Sequence, residues 1–148
     1  MPIVATNHTS FTVSDLDRSV ALWRDVIGLE LVSLGPRDPA LIERVVGVEG
    51  ADVMIALLRG HGHTLELIEY LSPAEREHVR PRPCDVGFAH IAYDVTDLDG
   101  VLAAAAEHGV EPINPPVKVD KGPNAGVRAV YTRDPDGITI EFIEKPSV

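Results

Sequence analysis

Hydrophobic and polar residues follow the same order of patterns in both halves of the chain. Each half starts with a short stretch in which apolar residues alternate, which predicts a strand. Apolar residues then recur every three or four positions, over about 16–26 and about 98–107, which predicts a helix. Both helices are expected to end at a glycine, Gly28 or Gly109. Three further strand-like stretches follow, so each half is predicted to fold as βαβββ.

The first strand of each half is expected to contain a histidine, His8 or His90, and a hydroxyl residue, Ser14 or Thr96, is expected to cap the helix that follows. Glycine-containing turns predict a hairpin near the end of each half. The remaining predicted strands cover about 29–34, 52–59, 64–70, 110–113, 127–133 and 138–144. Two insertions differ between the halves: a short amphipathic helix over 38–46 and a loop over 115–126.

The residues themselves also repeat. Between the segments 8–17 and 90–99, five of ten positions are identical, and 64–69 matches 139–144 in the same order. Two matched blocks in one order indicate an internal duplication. We therefore expect a single domain over 1–148 with an α+β fold. Its expected parts are a first module at about 3–71, a proline-rich linker at 72–85 and a second module at about 86–145.

Composition narrows the functional classes. The chain has 148 residues, 45% of them hydrophobic and 24% charged, as in an ordinary folded domain. Its formal net charge of −10 disfavours nucleic acids and anionic membranes as partners. No apolar run is long enough to cross a bilayer and no secretory signal is visible, so a cytoplasmic location is expected. The single cysteine, Cys84, excludes an internal disulfide.

Four polar residues recur at matched positions, and they form the candidate site: His8, Glu66, His90 and Glu141. The glutamates lie among apolar neighbours, where a carboxylate is costly to bury unless it is paired or bound to a metal. Two neutral imidazoles and two carboxylates balance one divalent cation, and such a set suits Zn, Ni, Co, Mn or Fe. Structural histidines and solvent-facing glutamates are the alternative reading of the pattern.

Three stretches resemble the vicinal-oxygen-chelate superfamily, which includes glyoxalase I and methylmalonyl-CoA epimerase: 7–19, 22–29 and 133–141. The resemblance implies paired βαβββ modules whose mixed sheets curve around a cleft with one divalent metal ion. It also implies that the metal ligands lie on the first and last strands of each module, which assigns them to the four repeated residues.

Subclasses of that superfamily differ in their ligands. A complete four-residue set favours an epimerase or isomerase that moves a proton beside a carbonyl through a metal-stabilised enediolate. The substrate would then be an acyl-CoA or a keto-cyclitol such as 2-epi-5-epi-valiolone. The alternatives are a glyoxalase-I-type lyase, a small-molecule-binding protein that sequesters antibiotics and, less favoured because of the fourth ligand, an extradiol dioxygenase.

The candidate general base is Glu141, with Glu43 in the inserted helix as the second candidate. The expected partners are a small-molecule substrate and, from the resemblance and the sheet edges that two modules present, a second copy in a homodimer. Candidate substrate contacts are the polar residues Tyr70, Asn124, Arg128 and Tyr131.

Overall fold

The computed structural model describes residues 2–146, and within that range the chain divides after Glu77 into two compact units. Unit 1 contains a four-stranded sheet in the order β1-β4-β3-β2, in which β1 and β4 run parallel and the other neighbours antiparallel. Two helices accompany it. The elements of unit 1 are β1 Thr9–Val13, α1 Leu16–Asp25, β2 Glu30–Pro36, α2 Pro39–Val46, β3 Asp52–Gly60 and β4 His63–Ser72.

Unit 2, which begins at His78, repeats this plan. Its sheet has the order β5-β9-β8-β6, again with a parallel first pair, and a further short strand pairs with β8. The two mixed sheets confirm the predicted α+β class and the βαβββ order of each half. The elements of unit 2 are β5 His90–Val95, α3 Leu98–Glu107, β6 Glu111–Pro112, β7 Val117–Lys118, β8 Arg128–Arg133 and β9 Thr139–Glu144.

The last strand of each unit has a core face and a site face. In β4, Leu65 and Leu67 are fully buried, and in β9 Ile140 and Phe142 are nearly so. Because successive residues of a strand point to opposite sides, the intervening Glu66 and Glu141 point away from this core. The fold therefore places the two repeated glutamates on the face opposite the buried side chains.

The helix N-termini differ from the prediction. The caps are Asp15 and Asp97, whose side chains accept hydrogen bonds from Arg18 N and Gly100 N, and not Ser14 and Thr96. An aspartate at the cap adds a negative charge at the positive end of the helix dipole, which a hydroxyl group does not. The predicted helix over 38–46 is present as α2, with Asp38 as its cap and no buried residue.

Three further details correct the expectations. His8 lies one residue before β1 and not within it. The predicted loop 115–126 contains β7, which pairs with β8. The first hairpin turn is shorter than expected, because His61 and Gly62, both with positive φ, connect β3 directly to β4.

Two expectations about the whole chain stay open. The ends of the expected domain, Met1, Ser147 and Val148, lie outside the described residues, and the single-domain assignment remains a prediction. Over residues 2–146, no helix combines the length and the apolar character that a membrane span requires.

Candidate metal centre

Unit 1 brings His8 and Glu66 together. Ser10 pairs with Glu66 across the parallel strands β1 and β4, and His8 lies two residues earlier on the same side. His8 Nε2 and Glu66 Oε1 are 3.5 Å apart, with 37% and 17% of the side chains exposed. The two predicted ligands of this unit therefore form a pair that is open to solvent on the histidine side.

The neighbouring Asn7 determines which nitrogen of His8 carries the proton. His8 Nδ1 lies 2.6 Å from Asn7 Oδ1, and an amide oxygen can only accept a hydrogen bond, so Nδ1 is the donor. In the neutral ring, Nε2 then presents a lone pair toward the carboxylate of Glu66. Two acceptors that face each other at 3.5 Å are attracted only if a proton or a metal ion lies between them.

Unit 2 forms the corresponding pair with more partners. His90 Nε2 lies 3.1 Å from Glu141 Oε2, and Tyr131 stands directly across the sheet from Glu141. The Tyr131 hydroxyl is 3.4 Å from His90 Nε2, and the two ring centroids are 4.9 Å apart. Phe88 also stacks on the histidine, with a centroid distance of 5.8 Å, and its ring lies 6.4 Å from that of Tyr131. Two aromatic rings thus hold His90 in place.

The environment of Tyr131 keeps its hydroxyl protonated. Partial burial and the negative charge of Glu141 raise the pKa of the Tyr131 phenol above its ordinary value of 10.0. Near neutral pH the phenol is therefore a hydrogen-bond donor and not an anion.

Both pairs have the donor set and the spacing that a divalent ion requires. Two ligand atoms that each lie about 2.1 Å from an ion are about 3.0 Å apart at a right angle and about 3.4 Å apart at the tetrahedral angle. The distances of 3.5 and 3.1 Å within the two pairs are close to these values. Among residues 2–146, however, no three or more His, Cys, Asp or Glu side chains form a group that could hold an ion. The sharing of one ion by both pairs therefore remains a prediction.

A cavity of about 330 Å³ adjoins the pair in unit 2. Glu141 and Tyr131 supply its polar side, and most of its other lining side chains are apolar. The remaining lining residues are Pro83, Ile113, Asn114, Pro115, Val117, Ala129 and Val130. A small organic molecule in this cavity would lie beside Glu141 and Tyr131.

Other predicted site residues lie in different surroundings. The exposed Glu43 accepts a hydrogen bond from Gly50 N at 3.1 Å, which ties α2 to the loop that follows it. Asn124 lies in an exposed loop, where its carbonyl oxygen accepts from Val127 N, and it is absent from the lining of the cavity beside Glu141. Tyr70 is half-buried on the same face of β4 as Glu66, four residues further along the strand.

Arg128 has a role different from the predicted substrate contact. Its guanidinium pairs with Asp99 at 2.7 Å and with Glu144 at 3.0 Å, on the face of the sheet that packs against α3. These hydrogen bonds raise the pKa of Arg128 and lower that of Asp99. Arg128 therefore connects the start of α3 to the end of β9, on the side opposite Tyr131.

The structure also reveals roles that the sequence analysis did not assign. Glu69 and Glu144, which end the repeated blocks, accept hydrogen bonds from Leu16 N and Leu98 N at the starts of α1 and α3. Glu69 and Glu144 do repeat between the two halves of the sequence. Strand alternation places them on the face opposite Glu66 and Glu141, but which of the two faces packs against the helices is known only from the structure. Asn7 and Phe88 carry no repeat signal, since neither has a counterpart of the same type in the other half.

The profile of the Glyoxalase/Bleomycin resistance protein/Dioxygenase superfamily matches residues 5–142, which is nearly the whole chain. The chain belongs to this superfamily. The resemblance indicated by the stretches 7–19, 22–29 and 133–141 is thereby confirmed.

One characterised relative and two solved structures illustrate the similarity. A 2-epi-5-epi-valiolone epimerase from Actinomyces sp. is 39% identical over 97% of this chain and 81% of its own length. The structure of a glyoxalase family protein from Bacillus cereus superposes with a TM-score of 0.84, at 25% identity over 99% of this chain and 97% of that one. A fosfomycin resistance protein, FosX, from Listeria monocytogenes has the same fold, with a TM-score of 0.61 at 17% identity over 97% of this chain and 94% of that one. It was solved with Mn(II) and sulfate.

Proposed function

We propose that the chain is a divalent-metal-dependent epimerase that inverts a carbon beside the carbonyl of a keto-cyclitol. The observation that carries this proposal is the 39% identity to a 2-epi-5-epi-valiolone epimerase over 97% of the chain. The keto-cyclitol is favoured over the acyl-CoA substrate because the relative's name states such a compound. The cavity of about 330 Å³ is also of a size for a single small ring.

His8, Glu66, His90 and Glu141 would hold the ion. Support comes from the repetition of the two pairs and from the lone pair that His8 Nε2 directs toward Glu66. A divalent ion, when bound, supplies Lewis-acid polarisation of a carbonyl oxygen, which acidifies the neighbouring C–H bond. FosX, which shares the fold, was solved with Mn(II), while zinc and the other ions of the expected set remain candidates here.

Glu141 would act as the base of the reaction as well as a ligand, because a carboxylate has two oxygen atoms and the one that does not hold the ion can accept a proton. Glu141 lines the cavity, and its carboxylate would take the proton from the carbon next to the carbonyl while the electron pair of the C–H bond moves toward the carbonyl oxygen. A proton derived from solvent and delivered to the opposite face of that carbon would complete the inversion. The Tyr131 hydroxyl, which is held protonated beside His90, can donate a hydrogen bond to the substrate oxygen.

Solvent deuterium exchange tests this proposal. The chain, loaded separately with Mn, Co, Ni, Zn or Fe(II), is incubated in D₂O with 2-epi-5-epi-valiolone, and the label at the carbon beside the carbonyl is followed by NMR. We expect label to enter together with the epimer in at least one metal form, and chelation to abolish both. Absence of label and epimer with every metal would refute the epimerase.

Parallel assays separate the alternatives. Glutathione-dependent consumption of methylglyoxal would indicate the lyase, and oxygen uptake with Fe(II) and a catechol would indicate the dioxygenase. A suitable control variant is Glu107→Gln, which removes one exposed charge at the end of α3 and should retain the full exchange rate.

We also propose that the chain forms a homodimer in the cytoplasm. The support for the dimer is the apolar surface of unit 1, where β2 is a sheet edge and α2 has no buried residue. Leu34 and Leu41 expose 46% and 49% of their surface, and Val45 exposes 71%. Light scattering should give twice the 16.0 kDa chain mass, and a monomer at all concentrations would refute the dimer.

A further inference from the structure

A second cavity in unit 2, of about 550 Å³, lies beside the turn between β8 and β9. Three arginines line it, although the chain as a whole carries a net charge of −10. They come from two separate parts of unit 2: Arg80 and Arg82 precede β5, and Arg133 ends β8. The fold therefore gathers positive charge at one place in an otherwise acidic protein.

Two of these arginines are fixed by neutral partners. Arg80 Nη2 donates to Pro135 O at 2.8 Å, and Arg133 Nη2 donates to Pro81 O at 2.5 Å. The aliphatic part of the Arg80 side chain packs on the turn at Gly137, because a Cβ added to this glycine would lie only 2.9 Å from Arg80 Cγ. A carbonyl oxygen positions a guanidinium without neutralising it, so both groups keep a positive charge and further N–H donors. Arg133 Nε is buried and has no hydrogen-bond partner among residues 2–146.

The other charges of the cavity are less available. Arg82 is paired with Asp85 at 2.7 Å, so its charge is compensated. Asp134 is 4% exposed, and its Oδ1 accepts from the backbone N–H groups of Asp136 and Ile138. Glu111 is exposed and lies directly opposite Arg133 in the sheet. The negative charge of its carboxylate would repel an anion bound to Arg133.

This cavity adjoins the candidate active site. Pro83 and Ile113 line both it and the cavity beside Glu141. Arg133 and Tyr131 are two residues apart on β8 and share a face of the sheet, which separates them by about 7 Å. A ligand of a few carbon atoms could therefore reach from Glu141 to Arg133.

We propose that Arg80 and Arg133 form an oxyanion-binding site, and that it receives a phosphate or carboxylate group carried by the substrate. Guanidinium groups bind such oxyanions through paired, charge-assisted hydrogen bonds. The support for the anion site is the arrangement of the arginines alone. The statement that the anion belongs to the substrate rests on the proposed epimerase function, and it makes the substrate an anionic derivative of a keto-cyclitol, since 2-epi-5-epi-valiolone itself carries no charge.

Titration of inorganic phosphate into the full chain, freed of metal by chelation, tests the anion site by calorimetry. We expect saturable binding that weakens at least tenfold in Arg133→Gln. The exposed Arg80→Gln is a second test in case the first variant folds poorly. Arg44→Gln, which removes the same charge from α2 in unit 1, is the matched control and should bind like wild type.

Glu111→Gln sharpens this test because it should change affinity in the other direction. Removing the carboxylate opposite Arg133 is expected to tighten phosphate binding. Absence of saturable binding to wild type would overturn the site, and so would equal weakening by the Arg44 control. This titration involves no substrate turnover, so it can fail or succeed independently of the deuterium-exchange experiment.

Organic anions identify the chemical group. Glucose 6-phosphate and gluconate are titrated in the same way, and preference for the first indicates a phosphate ester, whereas preference for the second indicates a carboxylate. Either result supports a substrate that carries an anionic group, provided that Arg133→Gln weakens the binding of the preferred compound. Binding of inorganic phosphate without binding of either organic anion would overturn the assignment to the substrate.

Discussion

Units 1 and 2 have the same sheet order but hold their His–Glu pairs in different ways. In unit 1, the histidine is fixed by the hydrogen bond that its Nδ1–H donates to Asn7 Oδ1, and the residue opposite Glu66 is the apolar Leu57. In unit 2, Ala89 takes the place of the asparagine, and the residue opposite Glu141 is Tyr131. One histidine is therefore oriented through its Nδ1 atom and the other by aromatic packing.

This difference separates two tasks within one duplicated fold. Unit 1 offers a ligand pair with a defined tautomer but an apolar neighbour, which suits metal binding alone. Unit 2 surrounds its pair with a protonated phenol and a cavity, which suits contact with a substrate. We therefore expect variants of Asn7 and Glu66 in unit 1 to affect chiefly metal affinity, and variants of Glu141 and Tyr131 in unit 2 to affect chiefly the proton transfer.

The largest expected effect comes from Glu141→Gln, compared with Glu66→Gln in unit 1. Loss of the base should lower the deuterium-exchange rate by about 10²–10⁴ at saturating metal. Glu66→Gln should weaken metal binding, with a smaller loss of rate once metal is saturating. Glu43→Gln should exchange at the wild-type rate, because that carboxylate is bound to Gly50. An unchanged rate in Glu141→Gln would transfer the role of base to another residue.

Asn7→Ala should weaken metal binding by about 10- to 100-fold, the usual cost of removing a group that orients a metal-bound histidine. Competition with a coloured chelator measures the affinity, and ¹⁵N NMR of the His8 ring should show loss of the Nδ1–H form. Asn124→Ala makes the same substitution in an exposed loop of unit 2 and should change neither quantity. Equal affinity of Asn7→Ala and wild type would show that the hydrogen bond does not prepare His8 for a metal.

Tyr131→Phe keeps the ring beside His90 but removes the hydroxyl. A single hydrogen bond is worth about 1 kcal/mol, so the exchange rate should fall about fivefold with metal affinity unchanged. Tyr131→Leu copies the arrangement at Leu57 in unit 1 and should lower the rate further, because the packing against His90 is also lost. If both variants exchanged at the wild-type rate, the aromatic side chain would have no part in the chemistry.

The smallest expected effect concerns stability. Arg128→Met copies unit 1, where Met54 is the residue opposite Glu69, and it should lower the melting temperature modestly at pH 7. Arg128 lowers the pKa of Asp99 below its ordinary 3.8, so this stabilisation is present above that pH and is lost as the pH falls through the lowered value. Thermal melts at pH 7 and below pH 3 should therefore show a difference between variant and wild type that shrinks in acid.

Much of the fold could be predicted because the duplication repeats its signals. Apolar residues recur with helical spacing over 16–26 and 98–107, and Gly28 and Gly109 follow, which indicates α1 and α3. The alternation in 64–69 and 139–144 indicates the last strands, β4 and β9. β7 has only two residues, and a segment that short carries no periodicity.

The candidate site was predictable in its pairs but not in its surroundings. His8 with Glu66 and His90 with Glu141 follow from matched positions, because a repeat conserves the register that joins them. The partners of Arg128 depend on the face to which it points, and that depends on the register of β8 with β9. The hydrogen bond of Asn7 depends on a side-chain rotamer just outside β1, on which the sequence pattern carries no information.

The most direct test of the central claim is the metal stoichiometry of the chain and of two single variants. If both pairs share one ion, wild type should bind one equivalent tightly, and His8→Ala and His90→Ala should each lose that equivalent, as measured by plasma emission spectrometry after gel filtration. Two equivalents in wild type, with one retained in each variant, would contradict the shared site and show that the two pairs act separately.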